Sequence, residues 1–221
     1  MNSDKLKIIL ASASPRREHL LREMGLRFTV VRPSDVEELL GGAAPDVVAM
    51  QNAQRKARAV AGRHPDSVVI GADTIVVLDG KLFGKPRDLE DATQMLGLLA
   101  GRQHEVVTGV CLLHRALDME LTFAETTRVW MRPLTGLQIA EYLGKINPLD
   151  NASAGVNHGE NWQKTHGFLS WAGAYAIQYG DIVERIEGNH SNVMGLPVER
   201  FRATLEKLGV ISDWSTKCTL M

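Results

Sequence analysis

A group of polar and basic residues follows the first apolar run of the chain, where a helix is expected to begin. The run Ile8-Ile9-Leu10 is typical of a buried strand. Ser12 follows, and then Ser14-Pro15-Arg16-Arg17, in which a capping serine and a first-turn proline favour a helix N-terminus. Backbone N–H groups and the positive end of the helix dipole would point into this turn, where Arg16 and Arg17 add two charges. The pattern predicts a phosphate-like anion site; the alternative is that both arginines lie on a solvated face and pair with nearby acids.

Three further stretches carry charged groups near the expected ends of elements. Glu37 and Glu38 lie in an acidic loop, Lys56 lies beside the apolar stripe of a helix, and Asp73 lies on a strand some way before Lys85. Lysine and arginine bind phosphate oxygens, whereas carboxylates hold a divalent cation, Mg²⁺ or Mn²⁺, that bridges phosphates. Asp73 is the best candidate for a general base acting on water, because its apolar neighbours should partly bury it. Each charge alone would be an ordinary surface charge, so the prediction requires all of them to meet in one cleft.

The elements that position these residues alternate along the first half of the chain. Helices are predicted to begin near Ser14, Asp46, Asp88, Thr135 and Pro197, each a residue type that favours a helix start. Strands are predicted at residues 8–10, 28–31, 68–70, 75–78, 81–83, 104–114, 121–131, 174–178 and 181–186. Helices alternate with strands early and long antiparallel ribbons come late. The predicted fold class is therefore α/β, with a mixed, largely antiparallel sheet and flanking helices.

Composition excludes several classes of protein. The chain has 221 residues, 44% of them hydrophobic, which suffices for one sizeable core. A net charge of −1 argues against a nucleic-acid-binding protein. Two cysteines, Cys111 and Cys218, are too few for a disulfide framework or a cysteine zinc site, which favours a reducing compartment. Because no signal-peptide pattern or membrane-length apolar run is present, we expect a cytoplasmic protein.

One stretch interrupts the periodic pattern. Residues 151–171 are rich in turn-forming residues, which predicts a surface insertion within a single domain spanning residues 1–210. Its two histidines, His158 and His166, lack a recognised metal-ligand spacing, so a metal site there is disfavoured.

The last residues, 211–221, are predicted to form a flexible tail. The terminal Cys218-Thr219-Leu220-Met221 fits a prenylation pattern, but only Lys217 is basic nearby and one lipid anchors weakly. We therefore expect no stable membrane association.

Seven short motifs occur in a fixed order along the chain. They are Leu10-Ala11-Ser12-Ala13-Ser14-Pro15-Arg16-Arg17, Lys56-Ala57, Gly71-Ala72-Asp73-Thr74, Gly84-Lys85-Pro86, Gly101-Arg102-Gln103-His104, Ala172-Gly173-Ala174-Tyr175-Ala176-Ile177-Gln178 and Gly195-Leu196-Pro197. Together they resemble the Maf family of nucleoside triphosphate pyrophosphatases over about residues 7 to 208. The resemblance implies two lobes around a deep nucleotide cleft and a homodimer. It also implies hydrolysis of a nucleoside triphosphate to the monophosphate and pyrophosphate with a divalent cation.

The resemblance also implies roles for individual residues. Asp73 would be the general base for water attacking the α-phosphorus and would bind the metal together with Glu38, with Glu37 a less favoured alternative because Arg32 leaves the register of the loop open. The residues that would hold phosphate oxygens are Ser12, Arg17, Lys56 and Lys85.

The chain resembles the branch of the family that acts on dTTP and UTP at three selectivity positions, namely Arg16, Thr74 and Gln178. A glutamine amide offers one donor and one acceptor, which match the imide of uracil or thymine. Such an enzyme would remove unwanted or excess nucleotides. The alternative from another class is a nucleotide-sensing regulator of cell division without catalysis.

One position departs from the family pattern. Trp171 stands where the family usually has a lysine directly before Ala-Gly-Ala-Tyr. Lys164, within the insertion, is the candidate to replace that lysine.

Overall fold

A mixed sheet with helices on both faces forms the centre of the computed structural model, which describes residues 7–34, 36–146, 171–178 and 181–210. In those residues the sheet has seven strands: β1 (Lys7–Ala11), β2 (Thr29–Val31), β3 (Ser67–Leu78), β4 (Lys81–Phe83), β5 (Gln103–His114), β6 (Met119–Met131) and β7 (Val183–Glu187). The helices are α1 (Pro15–Glu23), α2 (Pro45–Ala61), α3 (Leu89–Leu99), α4 (Gly136–Ile146), α5 (His190–Met194) and α6 (Val198–Lys207). The predicted fold class is confirmed, whereas the two lobes and the cleft stay predictions.

The strand order is β2-β1-β3-β5-β6-β7, and β4 pairs separately with β3. Strand β1 is parallel to both β2 and β3, while the β3–β5, β5–β6 and β6–β7 pairs are antiparallel. Asp79 and Gly80 both have positive φ, as the tight β3–β4 hairpin requires. The long strands β3, β5 and β6 therefore form the centre of the sheet.

The two faces of β3 contact different helices. Val69, Ile75 and Val77 pack toward α2, and a Cβ at Gly71 would overlap the backbone of α2. Ile70 and Ala72 pack on the other face with α1 and α6. Further along this face, β3 meets α3 and α4. Because side chains alternate along a strand, neighbouring residues of β3 face different helices.

Three local predictions are wrong, and one helix was missed. Ser14 makes no side-chain cap; its backbone N–H instead donates to Ser12 Oγ. Helix α2 begins at Pro45, so Asp46 lies within the first turn, where its carboxylate still favours the dipole. Residues 174–178 do not form a strand, because Gly173 and Ala174 both have positive φ in a 3₁₀ turn. Helix α5 was not predicted, since five residues are too few to show helical periodicity.

Two predicted helix starts are confirmed. The Asp88 side chain accepts a hydrogen bond from the Asp91 N–H at the beginning of α3. Thr135 and Gln138 exchange capping bonds before α4. None of the described helices is long and apolar enough to cross a membrane.

Candidate functional site

A gap along one edge of β3 defines the candidate site. Pairing of β1 with β3 ends at Gly71, and pairing of β4 with β3 begins at Val76. Residues 72–75 are therefore paired only with β5 among the strands described here. Asp73 and Thr74 lie in this gap and face opposite sides of the sheet.

On the side that α2 covers, Asp73 is enclosed by hydrogen-bond donors. Its Oδ1 lies 2.5 Å from Lys56 Nζ, and its Oδ2 accepts from Asn52 Nδ2 at 2.9 Å. Lys56 and Asn52 lie one turn apart on α2, so both point at the same carboxylate. All three residues are buried. Lys56 and Asp73 therefore form an ion pair, whereas the sequence predicted only that these charges could meet in one cleft.

Glu38 joins the cluster from the segment before α2. Its Oε1 accepts from Lys56 Nζ at 2.7 Å and from Lys85 Nζ at 3.0 Å. Burial disfavours the Glu38 carboxylate, but Lys56 and Lys85 outweigh it and lower the pKa of Glu38 to about 2. Glu37 is exposed, and only its backbone carbonyl accepts a bond, from Arg55. The structure thus brings Glu38, and not Glu37, to Asp73.

On the opposite side, Arg17 enters the gap from α1. Its Nε donates to the carbonyl oxygen of Gly195 at 2.8 Å, its Nη2 to Thr74 Oγ1 at 2.9 Å and its Nη1 to Ser12 Oγ at 3.4 Å. Gly195 has φ +115°, a conformation that favours glycine at this contact. The alternative of a solvated Arg17 paired with surface acids is wrong, because the residue is only 8% exposed.

Arg17 is a buried cation whose direct partners in the described chain are neutral oxygens. Burial lowers the pKa of Arg17, and Asp73 and Glu38 oppose this effect from a distance. A buried charge without a counter-charge is costly, so an anion at this position would be stabilised strongly. The Oγ of Ser12, also buried, accepts from Arg17 and from Ser14 N–H, which leaves its hydroxyl hydrogen for such an anion.

Thr74 belongs to a chain of hydrogen bonds behind Arg17. Its Oγ1 lies 3.0 Å from Thr108 Oγ1, and Thr108 donates to the carbonyl oxygen of Asn192 at 3.0 Å. Since the Thr108 hydrogen is used there, the Thr74 hydroxyl donates to Thr108 and accepts from Arg17. Thr74 therefore orients Arg17.

Gln178 and Arg16 lie on neither of these networks. The side-chain oxygen and nitrogen of half-buried Gln178 have no hydrogen-bond partner in the described chain. Arg16 turns away from its neighbour Arg17, and its guanidinium carbon lies 5.4 Å from the centre of the Trp171 ring, within cation–π range. Trp171, which replaces the family lysine, is a core residue.

Two buried contacts hold the turn before Gln178. The Tyr142 hydroxyl accepts from the Ala176 N–H at 3.0 Å and lies 3.3 Å from the Ala176 carbonyl oxygen. Tyr175 OH is hydrogen-bonded to His104 Nε2 at 2.7 Å. Burial lowers the pKa of His104 to about 4, against a backbone contact with Arg102, so the imidazole is neutral at pH 7. The segment that carries Gln178 is therefore fixed from α4 and β5.

The donor set for a metal consists of two carboxylates. The described residues contain no group of three or more histidine, cysteine or acidic side chains suited to a metal. Asp73 and Glu38 share the Lys56 ammonium as their common partner. Two carboxylates completed by water and phosphate oxygens fit Mg²⁺, which retains much of its own hydration. The residues present thus fit a cation that binds together with a phosphorylated ligand.

The predicted site residues fall into three groups. Ser12, Arg17, Thr74, Lys56, Asp73, Glu38 and Lys85 form the two connected networks at the gap. Arg16 and Gln178 lie outside those networks. Lys164, His158, His166 and Cys218 lie outside the described residues, as does most of the predicted insertion.

Sequence reasoning missed Asn52, Thr108 and Asn192. Asn52 had a signal, because it is a polar residue one turn before Lys56 within the apolar stripe of α2. Thr108 and Asn192 had none, since their contacts depend on the packing of α5 on β5 and β6.

Comparison with known proteins gives consistent results. A family model described as Maf-like protein matches residues 7–162 and 160–208. A dTTP/UTP pyrophosphatase from Carboxydothermus hydrogenoformans is 39% identical over 92% of this chain and 100% of its own length. One from Myxococcus xanthus is 40% identical over 97% of this chain and 98% of its own length. Among solved structures, the Staphylococcus aureus Ham1 protein has a TM-score of 0.41 and 16% identity over 57% of this chain and 71% of its own, which is too distant to bear on function.

The family match covers well over half of the chain, and it includes both sides of the gap in β3 and the turn that leads to Gln178. The chain belongs to the Maf-like protein family.

Proposed function

We propose that this protein is a nucleoside triphosphate pyrophosphatase that hydrolyses dTTP and UTP to the monophosphate and pyrophosphate. The observation that carries the proposal is the buried Arg17, whose direct partners in the described chain are neutral oxygens and which lies across a gap of four residues from the Asp73–Lys56–Glu38 cluster. A buried cation without a directly paired carboxylate favours an anion, and the carboxylates across the gap supply base and metal ligands. Curated relatives about 40% identical over most of the chain carry the name dTTP/UTP pyrophosphatase.

The chemistry requires a proton acceptor and cations around a triphosphate. Water attacks the α-phosphorus and gives its proton to Asp73. The bond between the α-phosphorus and the oxygen that bridges to the β-phosphorus breaks, and pyrophosphate leaves with the electron pair. Arg17 and Ser12 would bind phosphate oxygens on one side of the gap, and Lys56 and Lys85 on the other.

Lys56 would change partners during this cycle. At 2.5 Å from Asp73 Oδ1, its ammonium occupies one of the acceptor positions of the carboxylate. A phosphate group offers competing anionic oxygens, so the flexible lysine would turn toward the substrate and free Asp73. Substrate binding would thereby generate the base.

Asp73 and Glu38 are the ligands for Mg²⁺ or Mn²⁺ in this proposal. A bound cation would neutralise phosphate charge and polarise the phosphoryl oxygens. The shared Lys56 keeps both carboxylates close together before the cation arrives.

Base selection is assigned to Gln178 together with Arg16. The amide of Gln178 has an unused donor and acceptor, which match the imide edge of uracil or thymine. Thr74 would orient Arg17 and would not contact the base, because its hydroxyl is bound to Arg17 and Thr108. The same proposal includes a cytoplasmic location, a homodimer and the removal of unwanted pyrimidine nucleotides.

The test is a nucleotide panel with Mg²⁺ or Mn²⁺, measured as pyrophosphate release. We expect release from dTTP and UTP and far less from purine nucleotides. Asp73→Asn should abolish release while nucleotide binding persists. Binding of nucleotides to the wild-type protein without turnover would contradict the enzyme and favour a nucleotide sensor.

A further inference from the structure

Asn52 makes side-chain hydrogen bonds at the site that no sequence pattern predicted. Its side chain is completely buried. Its Oδ1 accepts from the Leu39 N–H at 2.7 Å, and its Nδ2 donates to both the Leu39 carbonyl oxygen and Asp73 Oδ2 at 2.9 Å. Because Leu39 presents both a donor and an acceptor, the orientation of the amide is fixed. Asn52 therefore joins Asp73 to the segment that carries Glu38.

Two parallel links connect Asp73 with that segment. Lys56 bridges the carboxylates of Asp73 and Glu38, and Asn52 bridges Asp73 and the backbone of Leu39. Both links start from α2, four residues apart. The lysine link depends on a charged group at the end of a long side chain, whereas the amide link depends on a short, uncharged and completely buried side chain.

The two links respond differently to an arriving phosphate. An anion competes for the ammonium of Lys56, but it has little attraction for an amide whose donors are already used. When Lys56 turns to the phosphate, Asp73 and Glu38 lose the cation between them and repel each other. Only a link that stays closed can then keep the two carboxylates at a separation that one cation can span.

We propose that Asn52 is a positioning residue that holds the Glu38 segment against Asp73 while Lys56 is engaged with substrate. This role rests on the proposed function for its timing, although the link itself exists without a ligand. It also gives Asn52 an effect on metal binding without a contact to metal or nucleotide. Partners that orient metal ligands in this way typically alter metal affinity or activity by about 10–100-fold.

The test compares Asn52→Leu with Gln54→Leu, a matched control on the same helix whose amide donates only to Glu120 on β6. Hydrogen exchange of residues 36–44 is measured first, without metal or nucleotide. The half-maximal Mn²⁺ concentration is then measured at saturating nucleotide, and the nucleotide KM is measured at saturating Mn²⁺. We expect Asn52→Leu to speed exchange in this segment and to raise the half-maximal Mn²⁺ concentration about tenfold or more, with nucleotide KM nearly unchanged. Gln54→Leu should match the wild type.

A second variant guards against misfolding. Asn52→Ala adds neither bulk nor charge, but it removes both the acceptor for the Leu39 N–H and the donor to Asp73. It should show the same changes. Wild-type exchange and Mn²⁺ dependence in either folded variant would overturn the role. If the wild-type protein released no pyrophosphate but the variants still exchanged faster at residues 36–44, the proposed function would fail while the role of Asn52 in holding this segment stood.

Discussion

The buried charges on the two sides of the gap in β3 have different kinds of direct partner. On the α2 side, the ammonium groups of Lys56 and Lys85 lie against the carboxylates of Asp73 and Glu38, so two cations balance two carboxylates. On the α1 side, Arg17 has only hydroxyl and carbonyl oxygens as direct partners. The charges on the first side are paired within the protein, whereas Arg17 on the second side would gain an anionic partner from the proposed substrate. A substitution on the first side should therefore cost more stability than one at Arg17.

Lys56→Met should have the largest effect on stability, because it leaves two neighbouring carboxylates without their shared cation. Removing one partner of a buried ion pair typically costs about 3–5 kcal/mol. We expect a loss of that size in the free energy of unfolding, measured by urea denaturation at pH 7.

Lys85→Met is the matched control for Lys56→Met. Lys85 contacts the same oxygen of Glu38, but its side chain is 51% exposed. Its loss should therefore cost less than about 1 kcal/mol. Equal losses in the two variants would show that burial of the ion pair is unimportant.

Arg17→Met should lower activity strongly and should lower stability less than Lys56→Met does. We expect kcat/KM to fall about 10²–10³-fold, as is typical when a preorganised group for an anionic oxygen is removed. The free energy of unfolding should fall less than in Lys56→Met, because the removed charge was desolvated and had no directly paired carboxylate. Arg22→Met, which removes an exposed pair with Glu18 on the same helix and a contact with the Phe28 ring, should leave kcat/KM unchanged. A stability loss in Arg17→Met equal to that in Lys56→Met would remove the contrast between the two faces.

Glu38→Gln tests the neutralised side through its pH dependence. The lysines lower the pKa of Glu38 to about 2, below its ordinary value of 4.5. The carboxylate thus contributes stability that is fully present above pH 4.5 and is lost as the pH falls toward 2. After allowance for solvent at this partly exposed side chain, we expect Glu38→Gln to lose about 1–2 kcal/mol at pH 7.

The difference between Glu38→Gln and the wild type should shrink between pH 4.5 and pH 3 in metal-free urea denaturation. Glu37→Gln, its exposed neighbour, should lose nothing at either pH. A difference that stays constant down to pH 3 would mean that the lysines do not stabilise the Glu38 carboxylate.

The sequence predicted several residues of the two faces but not the directions of their side chains. The turn after β1 and the candidates Arg17, Lys56 and Asp73 followed from residue types and motif order. The different directions of Arg16 and Arg17 did not, because they depend on where Trp171 and Gly195 lie in the fold. The sequence also suggested two runs, 68–70 and 75–78, where the structure has one strand. A buried aspartate is tolerated in that strand because α2 supplies Lys56 and Asn52, and no local pattern reveals this.

The 174–178 segment was predicted as a strand for an equally local reason. Alternating apolar residues such as Tyr175 and Ile177 mimic a strand pattern. The positive φ of Gly173 and the hydrogen bonds from Tyr142 bend the segment into a turn instead. The sequence thus made Gln178 a candidate selectivity residue but did not predict the turn and the contacts that precede it.

Thr74→Val should have a smaller effect on kcat/KM than Arg17→Met, and it tests whether Thr74 acts on Arg17 or on the base. The substitution removes the hydroxyl that accepts from Arg17 Nη2 and donates to Thr108. A hydrogen bond to a charged group contributes about 1.5–3 kcal/mol, so kcat/KM should fall roughly tenfold or somewhat more. Because Arg17 would bind phosphate, which all nucleoside triphosphates share, the fall should be the same for dTTP, UTP and CTP. Thr74→Ser, which keeps the hydroxyl, should retain most of the activity. A changed ratio of dTTP to CTP turnover in Thr74→Val, with activity on dTTP intact, would instead assign Thr74 to the base and leave the orientation of Arg17 to Gly195 and Ser12.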